Sequence, residues 1–431
     1  MRRIDVTHPG LAVAVSGGLD STALLHCVAR ARAHSGLAVH ALHVQHGLHA
    51  DASKWADQAA AQCRRWDRRY GDIHFHQVRL SGQPGRGDSV EGWARRERYR
   101  ALTRMCDDVG CRLLLLAHHR RDQAETVLLQ ALRGAGPAGL SAMPRVRVHN
   151  GITWVRPWLD LPHRCIEAYV ARHRLRYVED PANAQLRFAR SRVRHEVLPL
   201  LEAMSAGAET TLWAVAQRAQ EAQAVLEEVG RLDLDMAADG VALAIGRWRA
   251  LSPARQHNLL RHWARAQIAQ GLPESLLSRL MRELPAVAHG RWPAPGGELM
   301  VYRGRLTWLK NEPLAAVTEA TLDLSRPGRY DLPASRGHLH VEVTRGPGVP
   351  RGDLLTVAVR PRSGDARFQS HRGGVPRTLK KAFQAAGIPA PQRGQSVLWI
   401  GDRLLFVPGL GTDARVLVER GDDLMALRWE R

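Results

Sequence analysis

Leu11-Ala12-Val13-Ala14-Val15-Ser16-Gly17-Gly18-Leu19-Asp20-Ser21 decides how the first half of this chain is read. Residues 11–15 are a short apolar run that stops at glycines, the pattern of a buried strand. From residue 21 to 33 the apolar positions Leu24, Leu25 and Val28 follow helical spacing. Between the two, glycines let the backbone turn sharply and approach a ligand closely. Successive N–H groups, two hydroxyls and the start of a helix then make an anion cradle. Asp20 is out of place among donors for a bare phosphate. A magnesium ion between its carboxylate and the phosphates removes the conflict. The loop has no Walker lysine and does not fit G-x-G-x-x-G. A glycine turn with a capped helix remains the plainer alternative for S-G-G alone.

Working outward, strand patterns at 39–44, 73–78 and 112–117 alternate with helical patterns at 52–66, 90–106 and 122–132. This order predicts an α/β fold with a parallel, doubly wound sheet. Helices are expected at 164–174 and 190–202, with a turn at 180–183. Helical character continues from 208 to 284, broken by glycines near 239–246. Residues 285–297, with Pro285, Pro293 and Pro295, read as a linker. Short strands follow from 298, then strands at 396–400 and 403–407 and one helix at 377–386.

The formal net charge is +20, and only four lysines occur (Lys54, Lys310, Lys380, Lys381). A compositional bias accounts for the choice of arginine but not for its excess over acids. The charge favours a polyanion, nucleic acid ahead of membrane. Cys27, Cys63, Cys106, Cys111 and Cys165 are odd in number and form no C-x-x-C, so reduced thiols are expected rather than a disulfide framework or structural zinc. No apolar run reaches transmembrane length, and a cytoplasmic protein is expected.

Further blocks carry chemistry. Val44-Gln45-His46-Gly47-Leu48 ends a strand. In Glu91-Gly92-Trp93-Ala94-Arg95-Arg96-Glu97-Arg98-Tyr99, residues Glu91, Arg95 and Arg98 share one helical face, fit for a phosphate or polar substrate, or for an ordinary solvated face. Ala117-His118-His119-Arg120-Arg121-Asp122-Gln123-Ala124-Glu125-Thr126 opens a helix with two carboxylates three residues apart, near the crevice where parallel strands end. Arg187, Arg190 and Arg194 fall on one face. Near the C-terminus, Arg377-Thr378-Leu379-Lys380-Lys381-Ala382-Phe383, with Arg367, His371 and Arg372, is a candidate phosphate-contact cluster.

S-G-G-x-D-S resembles the loop of the N-type ATP pyrophosphatases (PP-loop ATPases, adenine nucleotide alpha hydrolase-like). The remaining blocks, with Glu179-Asp180-Pro181-Ala182-Asn183 and Arg190 to Pro199, resemble the tRNA(Ile)-lysidine synthetases over roughly residues 10–200 and 355–415. Gly92 stands where that family has Ala, and Ser191 where it has Asn. The resemblance implies a PP-loop catalytic domain at 1–205, a helical tRNA-contacting domain at 206–297 and a small α+β tRNA-binding domain at 298–431. It implies an ATP-dependent ligase with ATP and Mg2+ as cofactors. Its partners would be free L-lysine and a tRNA(Ile) with a CAU anticodon, with no membrane partner and a homodimer left open. In that family ATP adenylates the C2 oxygen of the wobble cytidine, the lysine amine attacks C2 and displaces AMP, and the lysidine formed pairs with A. Carried over, the resemblance assigns ATP binding to Ser16, Gly17, Gly18, Leu19, Asp20 and Ser21 and a metal to Asp20. Catalysis falls to Asp20, Asp122 and Glu125, and substrate binding to Glu91, Arg95, Arg98, Arg190, Arg194, Lys380 and Lys381. A tRNA thiolase on the same loop is the rival. Its sulfur chemistry calls for cysteine pairs or an iron–sulfur site, and Cys106 and Cys111 read instead as buried packing residues.

Overall fold

The computed structural model describes residues 10–45, 51–83, 85, 90–179, 189–311, 317, 319–332, 335, 337–390, 393 and 396–430. The chain forms two compact units, Met1–Leu226 and Glu227–Arg431.

In the first unit the elements are β1 (Gly10–Ala14), α1 (Leu19–Ser35), β2 (Ala38–Gln45), α2 (Ala52–Tyr70), β3 (Ile73–Arg79), α3 (Val90–Asp108) and β4 (Leu113–Leu115). There follow α4 (Arg120–Ala131), α5 (Pro137–Leu140), β5 (Val146–His149), β6 (Ile152–Val155), α6 (His163–His173), α7 (Ala189–Arg192), a π-turn Val193–Val197, α8 (Leu198–Met204) and α9 (Ala208–Ala237), whose residues from Glu227 on belong to the second unit. The sheet order is β3-β2-β1-β4-β6-β5, parallel except for the edge strand β5. The expected doubly wound sheet is therefore present. It gains β5 and β6, which the sequence reading passed over.

Burial on both faces explains the continuous apolar strands. Val13, Val15, Val39 and Ala41 pack with Leu24, Leu25 and Ala29 of α1 and with Cys63 and Trp66 of α2. Ala12, Leu42, Val44 and Leu114 pack on the other face with Leu102, Met105 and Cys106 of α3. The order reverses between β1 and β4, so the loops leaving these neighbouring strands open the crevice where open α/β sheets bind ligands.

In the second unit, Ala238–Asp239, Ala242–Ala244, Gly290–Ala294, Gly297–Tyr302 and Arg305–Lys310 form one antiparallel sheet. Trp248, Leu259, Leu260, Trp263, Leu280, Trp292 and Leu299 join it to the helices Pro253–Gln267 and Glu274–Glu283. The segment expected as a linker at 285–297 thus contains a strand. Pro293 is tolerated there because Gly290–Ala294 is an edge strand, where a missing N–H removes no central ladder bond. Residues 298–310, expected with the C-terminal strands, pair in this same sheet. Two further antiparallel sheets close around Leu339, Val341, Val359, Leu398, Phe406 and Met425. The expected strands Ser396–Ile400 and Arg403–Val407 are present, and the expected 377–386 helix shortens to Leu379–Ala385.

Candidate active site at the phosphate loop

The loop between β1 and α1 is held from within. Ser16 N–H donates to Ser21 Oγ (3.1 Å), Gly18 N–H to Ser16 Oγ (3.3 Å), and the Thr22 hydroxyl to Gly17 O (3.2 Å). Gly17 has φ +89°, a conformation that a side chain would strain. Helix α1 begins at Gly18 with no side-chain cap, so its first-turn N–H groups face the loop. Val178 N–H donates to Gly17 O (2.9 Å), pinning the chain after α6 to the loop.

Asp20 projects from the first turn of α1 toward two histidines. His163 Nε2, at the start of α6, lies 3.0 Å from Oδ1, and His119 Nε2 lies 3.7 Å from Oδ2. One ligand atom from each of the three residues falls within 4.8 Å of the others, a donor set fit to hold a metal ion. Asp20 Oδ1 is buried, and its near neighbour His163 Nε2 approaches it off the ideal hydrogen-bond direction. Burial alone would raise the Asp20 carboxyl, but the hydrogen bonds and charge of His119 and His163 outweigh it and hold it down to about 2. Burial likewise opposes charge on His119, and Asp20 and Asp122 overcome it, so its pKa sits above the ordinary histidine value.

Across the crevice, Asp122 and Glu125 come together as expected, and with them Arg190 and Arg194. Arg190 Nε donates to Glu125 Oε2 (2.6 Å) and its Nη2 to Asp122 Oδ1 (2.9 Å). Arg194 Nε donates to Glu125 Oε1 (2.6 Å) and its Nη2 to Glu125 Oε2 (3.0 Å). The π-turn carries Arg194 onto the same carboxylate that Arg190 reaches from α7. Asp122 also accepts the His119 backbone N–H (3.0 Å), so it fixes the start of α4 as well. Burial would raise Asp122, but His119, Arg190, His118 and Arg194 hold it far below the usual carboxylate range. Gln123, fully buried, exchanges two 2.8 Å bonds with the Met143 backbone and locks α4 in place.

Of the α3 face, Arg98 is half-buried. Burial pushes its pKa down, with repulsion from Arg95 and Arg190 adding to this. Arg95 is exposed and lies over the Tyr99 ring at 5.3 Å. Tyr99 stacks on Trp154 at 4.9 Å. Burial pushes His118 down to about 3, and the neighbouring cations Arg156, Arg190 and Arg95 add to that. The Glu91 side chain, His46–Leu48, the 180–183 turn and Arg187 lie outside the described residues. Lys380 and Lys381 are exposed on Leu379–Ala385, whose Leu379, Ala382 and Phe383 are buried beneath. They belong to the second unit and make no ion pair among the described residues.

Sequence reading assigned no role to His163, Arg156 or the histidine pair 118–119. His163 follows Pro162 at an ordinary helix start, and only the tertiary fold brings it to Asp20. Cys63, Cys106 and Cys111 are buried packing groups, and burial pushes Cys63 and Cys106 up to about 12, a poor state for sulfur transfer.

A doubly wound sheet with a Ser-Gly-Gly-Leu-Asp-Ser loop at its switch point defines a PP-loop, ATP-using enzyme. The PP-loop domain family matches residues 2–201. The TilS substrate binding domain matches residues 243–307, and the TilS substrate C-terminal domain matches 357–429. The chain is 40% identical to a tRNA(Ile)-lysidine synthase of Ralstonia nicotianae, over 94% of this chain and 89% of that one. It is 38% identical to one of Burkholderia mallei, over the same shares. The chain belongs to the tRNA(Ile)-lysidine synthase family of ATP-dependent ligases. A solved U34-tRNA thiolase of Methanococcus maripaludis is a remote likeness, with 18% identity and a TM-score of 0.42 over 51% of this chain and 75% of that one.

Proposed function

We propose that the chain ligates free lysine to C2 of the wobble cytidine in a tRNA(Ile) with a CAU anticodon. ATP drives this through an adenylated tRNA, and AMP and pyrophosphate are released. The observation that carries the reading is the convergence of the phosphate loop, Asp20 and the buried Asp122–Glu125–Arg190–Arg194 cluster at one switch point. Family membership supplies the substrates.

Each group has a physical task. The C2 oxygen is a poor leaving group until it becomes a phosphate ester. N–H groups of the Ser16–Ser21 loop and the α1 start take the charge of the triphosphate. Asp20, kept ionised beside His119 and His163, is the loop carboxylate that would help hold Mg2+ arriving with ATP, and the ion would neutralise phosphate charge. Arg98, short of negative partners among the described residues, suits a phosphate or the polarised base, with Arg95 at the rim. Lysine enters as an ammonium of pKa about 10.4 and must lose a proton before attack. Asp122 and Glu125 are the carboxylates in position to bind and orient it, with Arg190 and Arg194 setting their geometry. Lys380, Lys381 and the 206–431 region would hold the tRNA body, divided after residue 310 rather than at 297, because Gly297–Tyr302 pairs with both Gly290–Ala294 and Arg305–Lys310. A tRNA substrate and free thiols suit the cytoplasm. Among the described residues no helix is long and apolar enough to cross a membrane.

The test is transfer of radiolabelled lysine to tRNA(Ile) in the presence of ATP and Mg2+. Incorporation that needs ATP and vanishes in Asp20→Ala supports the proposal. ATP hydrolysis without lysine transfer rejects it.

A further inference from the structure

Beside the phosphate loop the donor set is richer in nitrogen than magnesium requires. Magnesium prefers oxygen ligands and keeps much of its water, whereas imidazole suits zinc, cobalt and their neighbours. Two imidazoles and one carboxylate converge here from three separate elements. Asp20 comes from α1, His119 from the turn before α4, and His163 from α6. His163 Nε2 faces Asp20, while its Nδ1 lies 3.1 Å from Glu167 Oε1. That contact is close but not aligned as a hydrogen bond, and a small turn of the Glu167 side chain would place its carboxylate to orient a metal-bound His163. His119 presents Nε2 to Asp20 and also lies 3.4 Å from Asp122 Oδ2. The rings of His119 and His163 sit 4.6 Å apart, and His119 is almost fully buried. Asp20 Oδ1 is itself buried, with His163 Nε2 3.0 Å away but not aligned as a hydrogen-bond donor to it.

We propose that Asp20, His119 and His163 form a binding site for a borderline divalent transition ion, of the Zn2+ or Co2+ class, that fills without nucleotide. Glu167 is the positioning residue for His163. The proposal rests on the ATP-site reading only for its location, since the three side chains supply the ligands themselves. A bound ion would retain open positions toward the loop, because the protein offers three ligand atoms.

The experiment uses the full chain, stripped with a chelator and titrated with Co2+ in the absence of ATP. Visible absorption reports nitrogen–oxygen coordination, and calorimetry with Zn2+ gives stoichiometry. One equivalent should bind. His163→Ala should weaken binding by about 100-fold or more, and Glu167→Gln by roughly 10-fold, in line with the usual loss of an orienting partner. Circular dichroism checks that each variant is folded, and Glu167→Gln alone carries the test if His163→Ala is not. Equal affinity in wild type and both variants overturns the proposal, as does the absence of Co2+ binding without ATP. ATP–pyrophosphate exchange with Mg2+ and tRNA(Ile), the acceptor of the adenylyl group, is measured in parallel. Loss of exchange in the wild type would indict the ATP-site reading, whereas a failed Co2+ titration with normal exchange would indict only the metal site.

Discussion

Replacing Glu125 by Gln removes one charge from a site where two guanidiniums meet two carboxylates. Glu125 is fully buried and accepts three hydrogen bonds, two of them at 2.6 Å. A glutamine can keep its oxygen toward one arginine, but its amide N–H2 then faces the other arginine, donor against donor. At least one charge-assisted bond is lost, worth about 1.5–3 kcal/mol. Removing one partner of a buried pair costs about 3–5 kcal/mol in full. Arg190 and Arg194 keep 24% and 31% side-chain exposure, so water relieves part of the penalty and the low end, about 3 kcal/mol, is expected. Because the chain has two compact units, a single melting curve does not isolate this region. Amide exchange across α4 does. The slowest α4 amides should exchange roughly 100-fold faster in the variant, tenfold for each 1.4 kcal/mol. Adding Arg194→Met should cost at least about 1 kcal/mol less than the sum of the two single changes, since each removes the same interaction. A loss below about 1 kcal/mol, the value of an exposed pair, would refute the buried-network account.

Other outcomes follow from the same geometry. Asp20→Ala should abolish ATP–pyrophosphate exchange and leave tRNA affinity nearly unchanged in a filter-binding assay. Gly17→Ala forces a side chain into φ +89° and should reduce exchange as well as stability, the latter by about 1 kcal/mol or more. Lys380→Ala with Lys381→Ala should weaken tRNA binding and flatten its salt dependence by roughly two logarithmic units, one per phosphate contact. His26, whose pKa burial lowers to about 4, stays neutral in the fold while the unfolded chain protonates. Stability of the first unit should therefore fall as pH drops below about 6.5 and stop falling on this account near 4, with a slope approaching 1.4 kcal/mol per pH unit for this one proton. His26→Gln should reduce the slope by this one proton's share in pH-resolved amide exchange, leaving the share of His118, whose pKa burial also lowers.

The doubly wound sheet was legible because its strands are buried on both faces and stop at glycines, as residues 11–18 do. The hairpin β5–β6 was missed although Val146-Arg147-Val148-His149 alternates, because four residues are too few for a period to stand out and β5 is an edge strand exposed along its length. Pro293 and its neighbours looked like a linker, since edge-strand status is a tertiary property. At the site, the Asp122–Glu125 spacing and the Arg190–Arg194 spacing were both visible. Their mutual ion pairing was not, because it joins helices separated by some sixty-five residues of chain, as in the Arg190–Glu125 pair. The histidines around Asp20 escaped for the same reason: one follows a strand, the other starts a distant helix, and no local period links them.

Mass spectrometry of nucleosides from tRNA(Ile) with a CAU anticodon, incubated with the purified chain, ATP, Mg2+ and isotopically labelled lysine, tests the central claim most directly. The account predicts that the wobble cytidine gains the mass of lysine less one water, carries the label, and does so only when ATP is present. An unmodified wobble cytidine under conditions where ATP is consumed, or a sulfur-containing nucleoside in its place, would contradict it.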